Sequence, residues 1–171
     1  DPALAQSIRA QVADRTASSS LAAFEFVAAE RNLGFGGAHN LLAHDGNADF
    51  VLVLNQDIVL EPGALDILRD EALRDGDDVA AWEMRQIPYE HPKSYDPANG
   101  DAPWVSGAAV LFRGRAFREL GGFEPRIFMY GEDVDLSWRL RAKGYRLRYV
   151  ARAAVQHLTY NYPEEIKRTQ V

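Results

Sequence analysis

An α/β fold with a mostly parallel central sheet and flanking helices is the architecture this sequence predicts, and three observations predict it. Phe50-Val51-Leu52-Val53-Leu54 and Ala108-Ala109-Val110-Leu111-Phe112 are short, unbroken apolar runs. Strands buried on both faces read this way. Segments with helical apolar spacing alternate with such runs, which is the pattern of a parallel sheet with helical crossovers. Polar Asn55-Gln56-Asp57 follows the Phe50 run at once. In open α/β sheets, ligands sit beyond the carboxyl ends of the strands.

The elements follow in order. Leu4, Ile8 and Val12 recur at i, i+4, i+8 after Pro2, so residues 2–13 predict a helix. Ser18-Ser19-Ser20 breaks it, and Phe24-Glu25-Phe26-Val27 alternates like a strand. Residues 30–37 form a glycine-rich turn leading to a short helix over 38–44. After the Phe50 strand, residues 62–74 predict a helix with Leu65, Leu68, Ala72 and Leu73 inward. Val79-Ala80-Ala81-Trp82 is the next strand. Residues 84–103 lack periodicity and predict a long loop. Residues 115–120 predict a helix closed by Gly121-Gly122. A helix opens at Glu132 and ends at Gly144. Two strands, 145–150 and 153–157, precede a polar tail. No repeat or linker divides the chain, so residues 1–171 read as one domain.

Composition excludes several classes. The 171 residues carry a net charge of −6 and no cysteine, with 47% hydrophobic content. That length supports one sizeable core, and the hydrophobic content argues against disorder. Disulfides and thiolate metal sites are ruled out, and the lack of cysteine agrees with a cytoplasmic setting. An acidic chain is poorly suited to nucleic acid. No apolar run approaches the roughly 18 residues of a membrane helix.

Three segments carry the chemistry. Gly131-Glu132-Asp133-Val134-Asp135 sets three carboxylates at a helix start, where unpaired N–H groups stabilise anions. Alone, it reads equally well as a capped amphipathic helix. Asp57, beyond a strand end, is placed to hold a hard cation carrying phosphates; taken alone, it also reads as a turn residue. His157 ends an apolar run, and if it closes on Asp57 it is a metal ligand. The long loop offers Arg85, Gln86, Tyr89, Glu90, His91, Lys93 and Tyr95, a composition suited to a sugar or polar acceptor. Trp104 and Tyr130 bracket the expected site. The turn Gly34-Phe35-Gly36-Gly37 is neither a dinucleotide fingerprint nor a P-loop, because His39 stands at the third glycine position and no Gly-Lys-Ser/Thr follows.

These motifs resemble glycosyltransferase family 2, the inverting GT-A enzymes, and within it the bacterial rhamnosyltransferase-like branch. The resemblance rests on Asn32-Leu33-Gly34-Phe35-Gly36-Gly37-Ala38-His39-Asn40, Leu54-Asn55-Gln56-Asp57 and Trp104-Val105-Ser106-Gly107-Ala108-Ala109. It continues through Leu120-Gly121-Gly122-Phe123-Glu124, Tyr130-Gly131-Glu132-Asp133-Val134-Asp135 and His157. Each motif is weak alone; their order along most of the chain is specific.

The resemblance implies a GT-A fold and transfer of a sugar from a nucleotide-diphosphate sugar to an acceptor hydroxyl with inversion, in polysaccharide or glycoconjugate synthesis. It implies Asp133 as catalytic base with Glu132 beside it. Asn32, Gly36, Asn40, Asn55 and Asp57 face the donor, while Arg85, Gln86, Trp104, Ser106, Gly107 and Tyr130 face a carbohydrate, lipid-linked or protein acceptor. Mg²⁺ or Mn²⁺ sits on Asp57 and His157. The setting is cytoplasmic, with the inner face of the membrane as the alternative. The family opens with a βαβ unit that this sequence lacks, so the chain reads as N-terminally truncated. Asn55 stands where the family often has Asp, which lowers the charge offered to the metal. Two other classes stay open: a non-catalytic nucleotide- or carbohydrate-binding module, and a metal-dependent nucleotidyltransferase.

Overall fold

A computed structural model describes residues 5–11, 25–43 and 46–158, in two compact units, 1–33 and 34–171. In the first unit residues 5–11 are helical (α1), in keeping with the Leu4–Ile8–Val12 spacing, although Leu4 and Val12 lie outside the described residues. Residues 25–29 are irregular, so the strand expected at Phe24–Val27 is not formed over its described part. A four-residue alternation has no partner strand built into it, and an unpaired strand is not stable.

The second unit runs α2 (Gly34–Ala43), β1 (Phe50–Leu54), β2 (Ile58–Leu60), α3 (Ala64–Arg74), β3 (Val79–Ile87), β4 (Ala109–Arg113), α4 (Gly114–Glu119), α5 (Glu132–Ala142) and β5 (Arg146–His157). Helix α2 starts at Gly34, inside the expected glycine turn. Gly34 has φ +71°, and a Cβ there would lie 2.2 Å from the Phe128 carbonyl oxygen, so only glycine fits. Strand β3 extends to Ile87 and takes the first residues of the expected loop. The two expected C-terminal strands are one, β5, which meets β3 with a register shift between Met84 and Arg85.

The sheet order is β1-β4-β3-β5-β2. Of its four pairings among the described residues, β3 with β5 is parallel and the other three are antiparallel. The expected mostly parallel sheet is therefore a mixed one. The β3–β4 connection, residues 88–108, contains no helix that could serve as a crossover, and β4 returns antiparallel on both sides. Sequence alternation counts elements; it does not fix their direction.

Period-two alternation builds the two faces of the core. Val110 and Phe112 point to one face, with Phe117 of α4 and Leu136 and Leu140 of α5. Ala109 and Leu111 point to the other, with Leu68 and Ala72 of α3 and Trp82. Leu136 and Leu140 are 0% exposed while Trp138 is 64% exposed, so α5 buries the leucine face and turns its tryptophan outward. Burying each such Leu or Phe side chain contributes about 1.5–3 kcal/mol.

Direction positions the site. β1, β3 and β5 run the same way, and β2 and β4 run against them. One edge of the sheet thus collects the carboxyl ends of β1, β3 and β5 and the amino ends of β2 and β4. Asn55 to Asp57, Gln86, Ser106 to Ala108 and His157 all meet there.

Candidate active site

That edge opens into a cleft of about 770 Å³. Asp57, Asp133 and His157, far apart in sequence, all line it, together with Asn55, Glu132, Trp104, Ser106, Gly107 and Tyr130. Strand ends supply the first side, and the start of α5 with the 88–108 connection supplies the other.

On the strand side, β2 pairs with the end of β5, setting Ile58 opposite His157. This brings His157 Nε2 to 3.4 Å from Asp57 Oδ2. The second ring nitrogen, Nδ1, lies 2.8 Å from Gln86 Oε1. An amide oxygen can only accept, so Nδ1 is the donor to Gln86 and Nε2 is the ring nitrogen turned to Asp57. Gln86 is 2% exposed. Expected to face an acceptor, it instead bonds to and orients the His157 ring. Asn55 is held by its backbone, its N–H donating to the Ala108 carbonyl at 2.9 Å.

The helix side is built on Gly131, which has φ +91° and directly precedes α5. Asp133 is fixed at both oxygens: Oδ2 accepts from the Gly107 N–H at 2.9 Å and Oδ1 from the Val134 N–H at 2.8 Å. Below it, Ser137 Oγ donates to the Asp133 carbonyl at 2.6 Å and accepts from the Val105 N–H at 3.1 Å. A Cβ on Gly107 would lie 3.0 Å from the Phe35 ring, so a side chain there would push the ring aside. Glu132 differs from its neighbour. It is 6% exposed, and its Oε2 is the buried side-chain atom without a hydrogen-bond partner among the described residues. Burial, and then the Asp133 charge, push its carboxyl above the ordinary range. Tyr130, with φ +68°, is 70% exposed at the mouth.

Other expected contacts fall elsewhere. Asn40 bridges the Phe123 backbone, donating to its carbonyl at 2.7 Å and accepting from its N–H at 2.9 Å. A Cβ on Gly36 would lie 2.7 Å from the Phe123 Cβ. Both residues serve helix packing and do not line the cleft. Arg85 is turned outward and ion-paired with Glu90 at 3.3 Å, because the residue alternates away from buried Gln86. Asn32 belongs to the 1–33 unit. Two residues had no expected role: Met129, which lines the cleft, and Glu83, a lone charge inside the apolar run of β3. That lone charge was the available signal.

The chain matches the description "Glycosyl transferase family group 2" over residues 51–170. It belongs to that family. Among the relatives of this family member is the N-acetylglucosaminyl-diphospho-decaprenol L-rhamnosyltransferase of Mycobacterium tuberculosis (strain CDC 1551 / Oshkosh), 31% identical over 74% of this chain and 56% of the relative. The rhamnosyltransferase WbbL of Escherichia coli (strain K12) is 27% identical over 68% of this chain and 58% of the relative. The chain thus spans a little over half the length of these two relatives. In fold it is similar to the solved mannosyltransferase PcManGT of Pyrobaculum calidifontis, in complex with GDP-Man and Mn²⁺, with a TM-score of 0.68 at 16% identity over 88% of this chain and 44% of that one. The family member thus has the GT-A glycosyltransferase fold. No helix among its described residues is long and apolar enough to cross a membrane.

Proposed function

We propose that this chain forms the catalytic cleft of a glycosyltransferase that moves a sugar from a nucleotide-diphosphate sugar to an acceptor hydroxyl with inversion. The observation that carries this reading is the Asp57–His157 pair and the Asp133 carboxylate facing one cleft in a chain of this family. The acceptor oxygen forms the new bond to the anomeric carbon. The bond to the diphosphate breaks, its electron pair leaves with the nucleotide, and the hydroxyl proton passes to an Asp133 oxygen. The two N–H donors fix that carboxylate before substrate arrives, which favours proton transfer over side-chain reorganisation. Glu132 lines the same cleft beside Asp133 and tunes the charge there.

The donor set fits a divalent cation. One carboxylate and one imidazole with its second nitrogen already bonded suit Mn²⁺ or Mg²⁺, with diphosphate oxygens completing the shell. Asp57 and His157 are the residues that would hold it; no group of three or more such side chains is found among the described residues. When bound, the cation supplies positive charge for the leaving diphosphate. The borderline imidazole ligand favours Mn²⁺ over Mg²⁺.

The relatives' names support a deoxyhexose donor of the L-rhamnose type and a lipid-linked diphosphate sugar as acceptor. Work on such an acceptor accords with the inner face of a membrane. The test is an assay of the full-length enzyme with a panel of nucleotide sugars and lipid-linked acceptors, with and without chelator. Transfer that stops on chelation and returns with Mn²⁺ supports the reading; transfer indifferent to chelator removes the metal from it.

A further inference from the structure

The connection 88–108 carries His91 and Trp104, among other residues of the cleft wall, yet has no helix and no strand beyond an isolated bridge at Asp101. Its later part is fastened to β5. Tyr149 N–H donates to the Gly100 carbonyl at 2.8 Å, Ala102 N–H to the Leu147 carbonyl at 2.8 Å, and Arg146 binds Asp101. Its earlier part has little such backbone fastening. Instead Lys93 turns inward. Its side chain is 4% exposed and its ammonium is paired with Glu83, itself 3% exposed, on β3. The same nitrogen lies 3.9 Å from the centre of the Trp104 ring, and the His91 ring is 5.7 Å from that ring.

A charge taken this far from water is costly unless paired. Burial pushes the Glu83 carboxyl up to about 7, against the opposing pull of Lys93. Buried ion pairs are often replaceable by well-packed apolar residues without loss of stability. What the pair adds is a fixed address, because an ammonium with one buried partner and one aromatic face has a single place to go. From this geometry we infer that Lys93 is a positioning residue for acceptor binding: docked on Glu83, it holds Trp104 and His91 in register as the acceptor wall of the cleft. The inference rests on the sugar-transfer reading for the word acceptor, and on the structure alone for the docking.

The test uses the full-length enzyme with Lys93→Met, Lys93→Arg and the double change Glu83→Gln/Lys93→Met. The acceptor KM of Lys93→Met should rise about tenfold or more with donor KM within about twofold, a split that a general loss of stability does not produce. Lys93→Arg keeps the charge and the aromatic contact and should recover most of the acceptor KM. The double variant should regain the melting temperature lost by Lys93→Met without regaining the acceptor KM. Docking is read without turnover by chymotryptic cleavage at the exposed Tyr89 and Tyr95, which should quicken in Lys93→Met. An unchanged cleavage rate overturns the inference whatever the kinetics. So does an acceptor KM that recovers fully in the double variant. Cleavage that quickens in Lys93→Met, in an enzyme whose wild type transfers no sugar, sinks the function reading and leaves the docking upheld.

Discussion

The two sides of the cleft are built by different means. The proposed cation side is made by strand register: Asp57 and His157 meet because β2 pairs with β5, and one buried amide, Gln86, turns the ring. The helix side is made by single side-chain bonds between distant segments. Asp133 is held by Gly107, Ser137 ties α5 to Val105, and Lys93 ties the 88–108 connection to β3. Register spreads its cost over many backbone hydrogen bonds, so one substitution does not move it. A side built from single contacts moves when one contact is lost. The comparison therefore expects changes on the cation side to act through affinity for metal and donor, and changes on the helix side to act through kcat and the acceptor.

The largest effect should come from Asp133→Asn, which keeps the shape and removes the proton-accepting oxygen. kcat should fall by about 10²–10⁴ with donor affinity nearly unchanged. Steady-state kinetics beside donor titration checks both halves, and a kcat near wild type would leave Asp133 a helix cap. On the cation side, Gln86→Leu removes the partner of His157 Nδ1. Affinity for Mn²⁺ should drop about 10–100-fold while kcat at saturating metal is retained. Metal titration followed by donor binding measures this, and unchanged affinity would break the proposed division.

The smallest effect concerns Glu132→Gln. Its carboxyl sits above the ordinary range, so the folded protein keeps a proton that the unfolded chain releases above about pH 4.3. The stability contributed by this group is complete below that pH and is lost as pH rises through the raised value. Removing the charge should therefore raise stability more at pH 8 than at pH 4, by about 1–3 kcal/mol at most, the cost of an unsatisfied buried group. Melting curves across that range give the answer; equal changes at both ends would mean that the buried oxygen is satisfied.

Part of this was legible in the sequence. A polar triplet directly after an apolar run located Asp57, and three acids after a glycine located Asp133, because both signals are local. Strand direction was not legible, since apolar runs look alike whichever way they run. Gln86, Asn40 and Lys93 were misplaced or unassigned for one reason: each is defined by a partner far along the chain or by burial that composition does not reveal. Gln86 finds His157, Asn40 finds Phe123, and Lys93, exposed by composition, finds Glu83 inside the fold. A polar residue in a loop looks like a ligand contact until the fold supplies another partner.

The central claim is that Asp133 takes the acceptor proton on the face of the sugar opposite the leaving diphosphate. The most direct measurement follows the anomeric configuration of the first-formed product by proton NMR in the full-length enzyme. The account predicts configuration opposite to that of the donor, with formation slowed by about 10²–10⁴ in Asp133→Asn. Retained configuration would contradict it, because retention requires two displacements or attack from the same face and leaves no place for a single base across the cleft.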